Sequence, residues 1–147
     1  MIFTIPGEPE GKKRPRYSRK TGVMYTPSET VNYEKYVKEC YTAQGGKRLP
    51  DTKTVKSDGR DVLSDQAYKV EIWAFTKPPE SVPKCKRGLM LFNTMLPTKK
   101  PDIDNIGKIV LDGLNGAAWH DDKAVTELVV HKVYGEDPRV VVEISLL

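Results

Sequence analysis

The sequence predicts an α+β fold in which a small mixed β-sheet carries helices packed mainly on one face. Segments 66–76 and 139–146 alternate apolar and polar residues as strands do, and they are separated by stretches with helical periodicity. A chain of 147 residues suits one domain with its own core. The expected element order is β, β, α, β, short α, α, β, β, which is typical of the α+β class.

The N-terminal third predicts two short strands, a loop and a helix. Apolar residues 1–5 predict the first strand, and residues 22–25 are expected to form a second that pairs back toward it. Residues 8–21 combine Pro, Gly and basic side chains, so we expect a loop there. A capping box at 26–29, with Pro27 at the first helical position, predicts the helix start. The apolar stripe of this helix comprises Tyr33, Tyr36, Val37, Cys40 and Tyr41.

The rest of the chain predicts a loop, three strands and a short helix before and after a central motif. Residues 46–64 are polar and aperiodic, which indicates a long loop or insertion within the single domain 1–147. The clearest strand prediction is 66–76, and residues 82–92 suit a short helix with a basic face. Residues 126–134 and 139–146 are expected to form a hairpin.

Neither membrane nor secretion signals are evident. No run approaches the roughly 20 apolar residues that a membrane helix needs, and the first residues lack a basic-then-apolar leader. Cys40 and Cys85 lack zinc-site spacing, and in a reducing compartment we expect them to stay unpaired. We therefore expect a cytoplasmic protein.

Segment 99–125, KKPDIDNIGKIVLDGLNGAAWHDDKAV, carries the strongest chemical signature. Its apolar spacing predicts a helix that is at least half buried, which Asp102 or Asp104 is expected to cap and the Asn-Gly pair at 115–116 to end. Asp104 and Lys108 are spaced i, i+4, so they share one face of this helix.

The acidic residues of this segment suit a divalent cation. The Asp121-Asp122 pair lies in a short loop that is expected to fold back on the helix start. Mg²⁺ prefers oxygen ligands, and a neighbouring Lys can hold a phosphate. Asp102, Asp104 and Asp122 with Lys108 thus supply what metal-assisted phosphodiester cleavage needs. The alternative is that Asp102 caps the helix, Asp104 and Lys108 form a solvated ion pair, and Asp121-Asp122 forms a turn.

The order and spacing of these residues resemble the RusA family of Holliday-junction resolvases. The family pattern is (R/K)-(P/D)-D-x-D-N-x-x-K, followed by L-D-x-L, a Trp and D-D-x-x-V. The matching residues are Lys100, Pro101, Asp102, Asp104, Asn105, Lys108, Leu111, Asp112, Gly113, Leu114, Trp119, Asp121, Asp122 and Val125.

The resemblance implies an endodeoxyribonuclease that resolves four-way DNA junctions by paired symmetric nicks in recombination and repair. It also implies a homodimer, Mg²⁺ as cofactor with Mn²⁺ as a substitute, and a bacterial or phage-encoded, nucleoid-associated protein. The implied catalytic residues are Asp102, Asp104, Lys108 and Asp122, and the three aspartates are the implied metal ligands. Asn105 and Asp121 are candidates for orienting those ligands.

Basic residues cluster in two stretches that contain no acid, 12–20 and 81–100. Such clusters contact phosphates in nucleic-acid-binding proteins, although a solvated charged loop is the simpler alternative for the first. Tyr17 is a candidate for base stacking. The predicted DNA-binding residues are Lys12, Lys13, Arg14, Arg16, Arg19, Lys20, Lys84, Lys86, Arg87, Lys99 and Lys100.

Two other classes of function compete with this prediction. A non-catalytic junction-binding protein would keep the fold and bind DNA without cutting it. Another Asp-x-Asp enzyme, such as a nucleotide-sugar transferase or an aspartyl-phosphate phosphatase, fits poorly, because the chain is short and no apolar strand precedes Asp102. Asp112 and His131 are expected to be structural, while His120 is either a loop residue or an aid to proton transfer.

Overall fold

A four-stranded sheet with two long helices on one face forms the body of the protein. The computed structural model describes residues 1–147. The strands are β1 (Ile2–Pro6), β2 (Arg16–Tyr17), β3 (Met24–Tyr25), β4 (Thr52–Ser57), β5 (Arg60–Asp65), β6 (Tyr68–Thr76), β7 (Val125–Tyr134) and β8 (Arg139–Leu146). The helices are α1 (Ser28–Ala43), α2 (Lys84–Leu91) and α3 (Ile103–Leu114), and a 3₁₀ turn covers Asp122–Ala124. None of the helices combines the length and apolar character that crossing a membrane requires.

The main sheet has the strand order β1-β8-β6-β7 and is mixed, because only β6 and β7 run parallel. Along β6, Val70, Ile72 and Ala74 are buried in the same core cluster as the helix residues. The alternate side chains point to the other face, where Trp73 remains 38% exposed. The predicted α+β class, with helices mainly on one face, is confirmed.

The predicted hairpin between β7 and β8 is wrong. Both strands exist, but β6 lies between them, parallel to β7 and antiparallel to β8. The connection at 135–138 therefore spans two strand spacings, about 10 Å, which four residues can cover. Burial explains the arrangement, because β6 has the most consistently apolar inner face and takes a central position.

The predicted pairing of the second strand with the first is also wrong. Met24–Tyr25 pairs with Arg16–Tyr17 instead, so the expected loop at 8–21 contains a strand. The outer edge of β1 therefore takes no part in this small ribbon, and β1 pairs only with β8. Residues 16 to 25 form a separate finger.

The predicted loop at 46–64 is a second hairpin rather than irregular chain. Strands β4 and β5 pair along six positions and turn at Asp58-Gly59, both of which adopt positive φ angles. Asp-Gly between β-prone residues is the composition that a tight hairpin turn requires. That signal was present in the sequence and was outweighed by the polar composition around it.

Helix α1 begins one residue later than predicted and lacks the capping box. Pro27 occupies the N-cap position, and no side chain caps the helix. Glu29 pairs instead with Lys13, at 2.7 Å, which removes it from the capping role. The predicted stripe is confirmed in part, since Val37, Cys40 and Tyr41 are buried and Tyr33 is half-buried, whereas Tyr36 is exposed.

Helix α3 is the central element of the core. Ile106, Ile109, Val110 and Leu114 are all almost fully buried, and each stabilises the fold by about 1.5–3 kcal/mol. The helix ends at Asn115-Gly116 as predicted, and Asn115 accepts a 2.9 Å hydrogen bond from the indole of the buried Trp119.

Two glycines let α3 approach its neighbours closely. A Cβ at Gly113 would lie 2.8 Å from the Val37 Cβ and 2.9 Å from the Glu34 carbonyl of α1. A Cβ at Gly107 would lie 3.1 Å from a methyl group of Leu128 and 3.3 Å from one of Val130, both on β7. The first neighbours are rigid, whereas the second are the ends of flexible side chains.

We expect Gly113→Ala to lower the free energy of unfolding by about 1–3 kcal/mol, because α1 must move to admit the methyl group. Gly107→Ala is the matched control. Its gain in helix propensity, about 1 kcal/mol, offsets a small adjustment of Leu128. Urea unfolding of both variants measures the difference, and equal stabilities would contradict the packing described here.

Candidate functional site

The start of α3 presents two carboxylates without protein partners. Asp102 occupies the N-cap position and Asp104 lies in the first turn, and both are exposed. The predicted cap does not form, because no side chain hydrogen-bonds to the free N–H groups of this helix end. Neither carboxylate takes part in an ion pair. Both are therefore free to bind a cation or water beside the positive end of the helix.

Lys108 follows one turn after Asp104 on the same exposed face. It forms no ion pair with Asp104 or any other carboxylate within 4.0 Å. Its charge does act on Asp122, whose pKa it lowers in opposition to larger effects. Lys108 is thus close enough to Asp122 to lower its pKa, and its ammonium has no ion-pair partner.

Asp121 and Asp122 are adjacent carboxyl groups at the start of the 3₁₀ turn. Burial raises the pKa of Asp122, as do its hydrogen bond with Asp121 and the negative charges of Asp112 and Asp121. The pKa of Asp121 is lowered, first by a backbone hydrogen bond from Lys123 and then by the hydrogen bond with Asp122. The opposite directions of the two pKa shifts reflect two neighbouring carboxyl groups of which Asp122 is the more buried.

The structure divides the predicted metal ligands into two groups. Asp102 and Asp104 lie at the start of α3, whereas Asp122 lies within electrostatic reach of Lys108 and Asp112 further along the helix. No group of three Asp, Glu, His or Cys side chains lies close enough together to hold a metal ion. The three predicted ligands thus do not form a closed protein cage in the single chain.

The basic segment before the finger, residues 8–15, lies against α3; we call it the arm. The Lys12 amide donates a 2.9 Å hydrogen bond to the Asn105 carbonyl. A Cβ on Gly11 would lie 2.9 Å from the Pro101 Cβ, so only glycine permits this approach. The arm is thereby fixed next to Asp102.

Lys12 is an internal clamp rather than a free phosphate contact. Its ammonium pairs with Asp112 at 2.8 Å and also with Glu34, and all three side chains are only 22% exposed. Burial alone would lower the pKa of Lys12, but these two carboxylates outweigh it and the pKa is raised. Lys12 therefore joins the arm to both α1 and α3.

The other basic residues of the N-terminal stretch divide in the same way. Lys13 pairs with Glu29, whereas no carboxylate lies within ion-pair distance of the arginines or of Lys20. Of the second stretch, Lys84, Lys86, Lys99 and Lys100 are exposed and Arg87 is half-buried, and none of them forms an ion pair. These charges remain available to a polyanion.

A cleft of about 740 Å³ opens where the arm meets the start of α3. Arg14 and Arg16 line one wall, and Lys100, Asp102 and Asn105 line the other. The structure therefore brings predicted phosphate contacts and one predicted metal ligand to the same opening.

A second cleft, of about 580 Å³, contains residues that sequence reasoning missed. Asp51 and Asp65, at the base of the β4–β5 hairpin, line it together with His120 and Asp121. Recognising the Asp58-Gly59 turn would have predicted this hairpin and brought its two ends together. His131 is elsewhere, stacked on Trp73 with ring centroids 4.0 Å apart, which agrees with the expected packing role.

Comparisons with known proteins show similarity along nearly the whole chain, not only in segment 99–125. The family model described as Endodeoxyribonuclease RusA matches residues 6–145. The uncharacterized protein YqaN of Bacillus subtilis (strain 168) is 32% identical over 142 residues, which cover 97% of this chain and 93% of that protein.

We expect Lys12→Met to lower the free energy of unfolding by about 1–3 kcal/mol, because Asp112 and Glu34 lose the charge between them. Hydrogen exchange at the arm should also accelerate. Lys35→Met is the control, since its exposed 3.9 Å pair with Glu39 should contribute no more than about 1 kcal/mol. Equal exchange rates at the arm in the two variants would disprove the clamp.

Proposed function

The chain belongs to the RusA endodeoxyribonuclease family, and from this premise we propose that it is a Mg²⁺-dependent, structure-selective endonuclease that resolves four-way junctions. Membership implies endodeoxyribonuclease activity and binding to branched DNA. The metal dependence, the paired nicks and the role in recombination and repair are our proposals for this protein.

The uncompensated negative charge along the α3 face is the observation that carries the proposal. Asp102 and Asp104 form no ion pair, and the pKa of Asp122 is raised by burial and by the nearby charges of Asp112 and Asp121. Carboxylates in this state repel a DNA backbone unless a cation offsets them. A protein that only bound DNA would gain nothing from keeping them.

The donor set fits Mg²⁺ better than it fits a metal held in a protein cage. Mg²⁺ commonly uses one or two protein carboxylates and completes its shell with water and substrate phosphate oxygens. We propose Asp102, Asp104 and Asp122 as the residues that would hold it. When bound, such an ion lowers the pKa of a coordinated water and offsets charge on the phosphate.

The neighbouring polar residues support this arrangement. Lys108 has a free ammonium near Asp122, and we propose that it holds the scissile phosphate and offsets the charge that develops on it. Asp121 accepts a hydrogen bond from the Lys123 amide, and its position next to Asp122 suits it to orient that carboxylate. Asn105 lies against the arm in the cleft, where its amide can orient Asp102 or a phosphate.

The exposed basic residues define a path for the DNA. Arg14, Arg16 and Lys100 line the cleft beside Asp102, and Lys84 and Lys86 of α2 are also exposed. We propose that these groups bind backbone phosphates, whereas Lys12 acts by holding the arm in position.

Two equivalent strands must be nicked in a four-way junction, so we propose a twofold homodimer with one active site in each subunit. Each subunit then cuts one strand and leaves a 5′-phosphate and a 3′-hydroxyl, which a ligase can seal. Sedimentation at twice the 16.6 kDa chain mass tests the dimer.

We expect the purified protein to nick a synthetic mobile four-way junction in symmetric pairs with Mg²⁺ and not with EDTA. Asp104→Asn should slow cleavage by at least about 100-fold, because a metal ligand contributes several kcal/mol, while junction binding persists. The control is Asp137→Asn, an exposed change in the connection between β7 and β8. Tight binding by the wild type without nicks in Mg²⁺ or Mn²⁺ would favour the non-catalytic junction-binding alternative.

Lys108→Met should lower the single-turnover cleavage rate about 100- to 1,000-fold, as the loss of one group that stabilises transition-state charge does. Because ground-state binding rests mainly on the other basic residues, we expect junction affinity to fall less than tenfold. An equal loss of affinity and rate would instead assign Lys108 to substrate binding.

A further inference from the structure

The finger, residues 16–25, is a small hairpin that projects from the arm. Strands β2 and β3 pair in antiparallel register, and the turn is closed by two backbone hydrogen bonds between Ser18 and residues 22 and 23. Every residue of both strands is exposed, so neither face of the ribbon is covered by the rest of the chain.

The finger combines exposed apolar side chains with unopposed positive charge. Tyr17, Val23, Met24 and Tyr25 are 61%, 58%, 59% and 47% exposed. Its sequence, RYSRKTGVMY, contains Arg16, Arg19 and Lys20 and no acidic residue. Neighbouring exposed apolar side chains on a soluble domain mark an interaction surface.

The register assigns these side chains to two faces. Tyr17 is directly opposite Met24, and Arg16 is directly opposite Tyr25. One face therefore offers an aromatic ring beside a flexible thioether, and the other offers a ring beside a guanidinium group. Aromatic rings and arginine planes are the groups on which unpaired nucleic-acid bases stack.

The finger begins where the candidate site ends. Its first residue, Arg16, lines the 740 Å³ cleft together with Asp102, and the arm that carries it is held to α3 by the Lys12 ion pairs. The finger thus extends from a fixed base next to Asp102.

We propose that the finger stacks against unpaired or unstacked bases at the branch point of the DNA, with Tyr17 and Met24 as the stacking face. This inference rests on the proposed function, since the branch point supplies the bases. A protein partner is the alternative ligand of this surface. All charged residues of the finger are basic, however, and its first residue lines the cleft, so a polyanion that also offers planar rings is favoured.

Tyr17→Ala tests the proposal in EDTA, where no cleavage occurs. We expect it to weaken binding to a four-way junction and to single-stranded oligothymidylate about tenfold, and binding to a matched duplex less than twofold. A 2-aminopurine at the branch point should change fluorescence when the wild type binds, and this change should be lost in Tyr17→Ala. Tyr17→Phe keeps the ring and should retain both properties.

Arg19→Ala is the control that removes a charge from the finger. Thr21→Ala is the control for a substitution in the finger that removes neither a ring nor a charge. Arg19→Ala should weaken binding to all three DNAs by similar factors and reduce the slope of log affinity against log salt concentration by about 1. Tyr17→Ala should leave that slope unchanged. Thr21→Ala should change nothing. All of these positions are exposed, so the variants keep the core intact.

An equal effect of Tyr17→Ala on junction and duplex, or no effect, would overturn the proposal. A change in sedimentation with DNA affinities unaltered would also overturn it and assign the finger to a protein contact. Ring-dependent binding to single strands in a protein that never cuts junctions would refute the proposed function while leaving the stacking inference intact.

Discussion

The close approach of α3 to both of its neighbours is the constraint on which the rest of the structure depends. The helix lies against α1 at Gly113 and against β7 at Gly107, and its apolar side chains fill the space between them. Because the buried faces of α3 pack against these neighbours, the direction of its one exposed face is fixed. That face carries Asp104, Lys108 and Asp112, so the geometry of the core determines where the charged groups project.

Charge balance explains the division of labour among the basic residues. Asp112 lies at the end of the charged face, where Lys12 forms ion pairs both with it and with Glu34 of α1. The pairing satisfies one carboxylate and at the same time anchors the arm, so the arginines that follow are held near Asp102 without being consumed by ion pairs. Asp102, Asp104, Asp121 and Asp122 form no ion pairs with basic side chains. Arg14, Arg16 and Lys100 line the same cleft as Asp102.

Sequence reasoning worked where the information is local and failed where it is not. The limits of α3, the helix stop at Asn115-Gly116 and the inner face of β6 follow from periodicity and backbone preference, and they were predicted. The insertion of β6 between β7 and β8 depends on competition among distant strands, which no local pattern records. The role of Lys12 was beyond reach for the same reason, since Asp112 lies 100 positions along the chain. The individual site residues came from an ordered motif, but their distribution into two groups required the fold.

The strand order also has a consequence for synthesis on the ribosome. Strand β8 joins β1 to β6, yet it follows both of them and α3 in the chain. Chains emerge from the N-terminal side first, at roughly 5–20 residues per second. The earlier strands therefore leave the exit tunnel before the strand that unites them, and the platform beneath α3 stays incomplete during elongation. A nascent chain that stalls before residue 139 would carry every residue of the candidate site without the sheet that orients it. Interrupted translation products of this protein would thus lack the strand that completes the sheet beneath the candidate site.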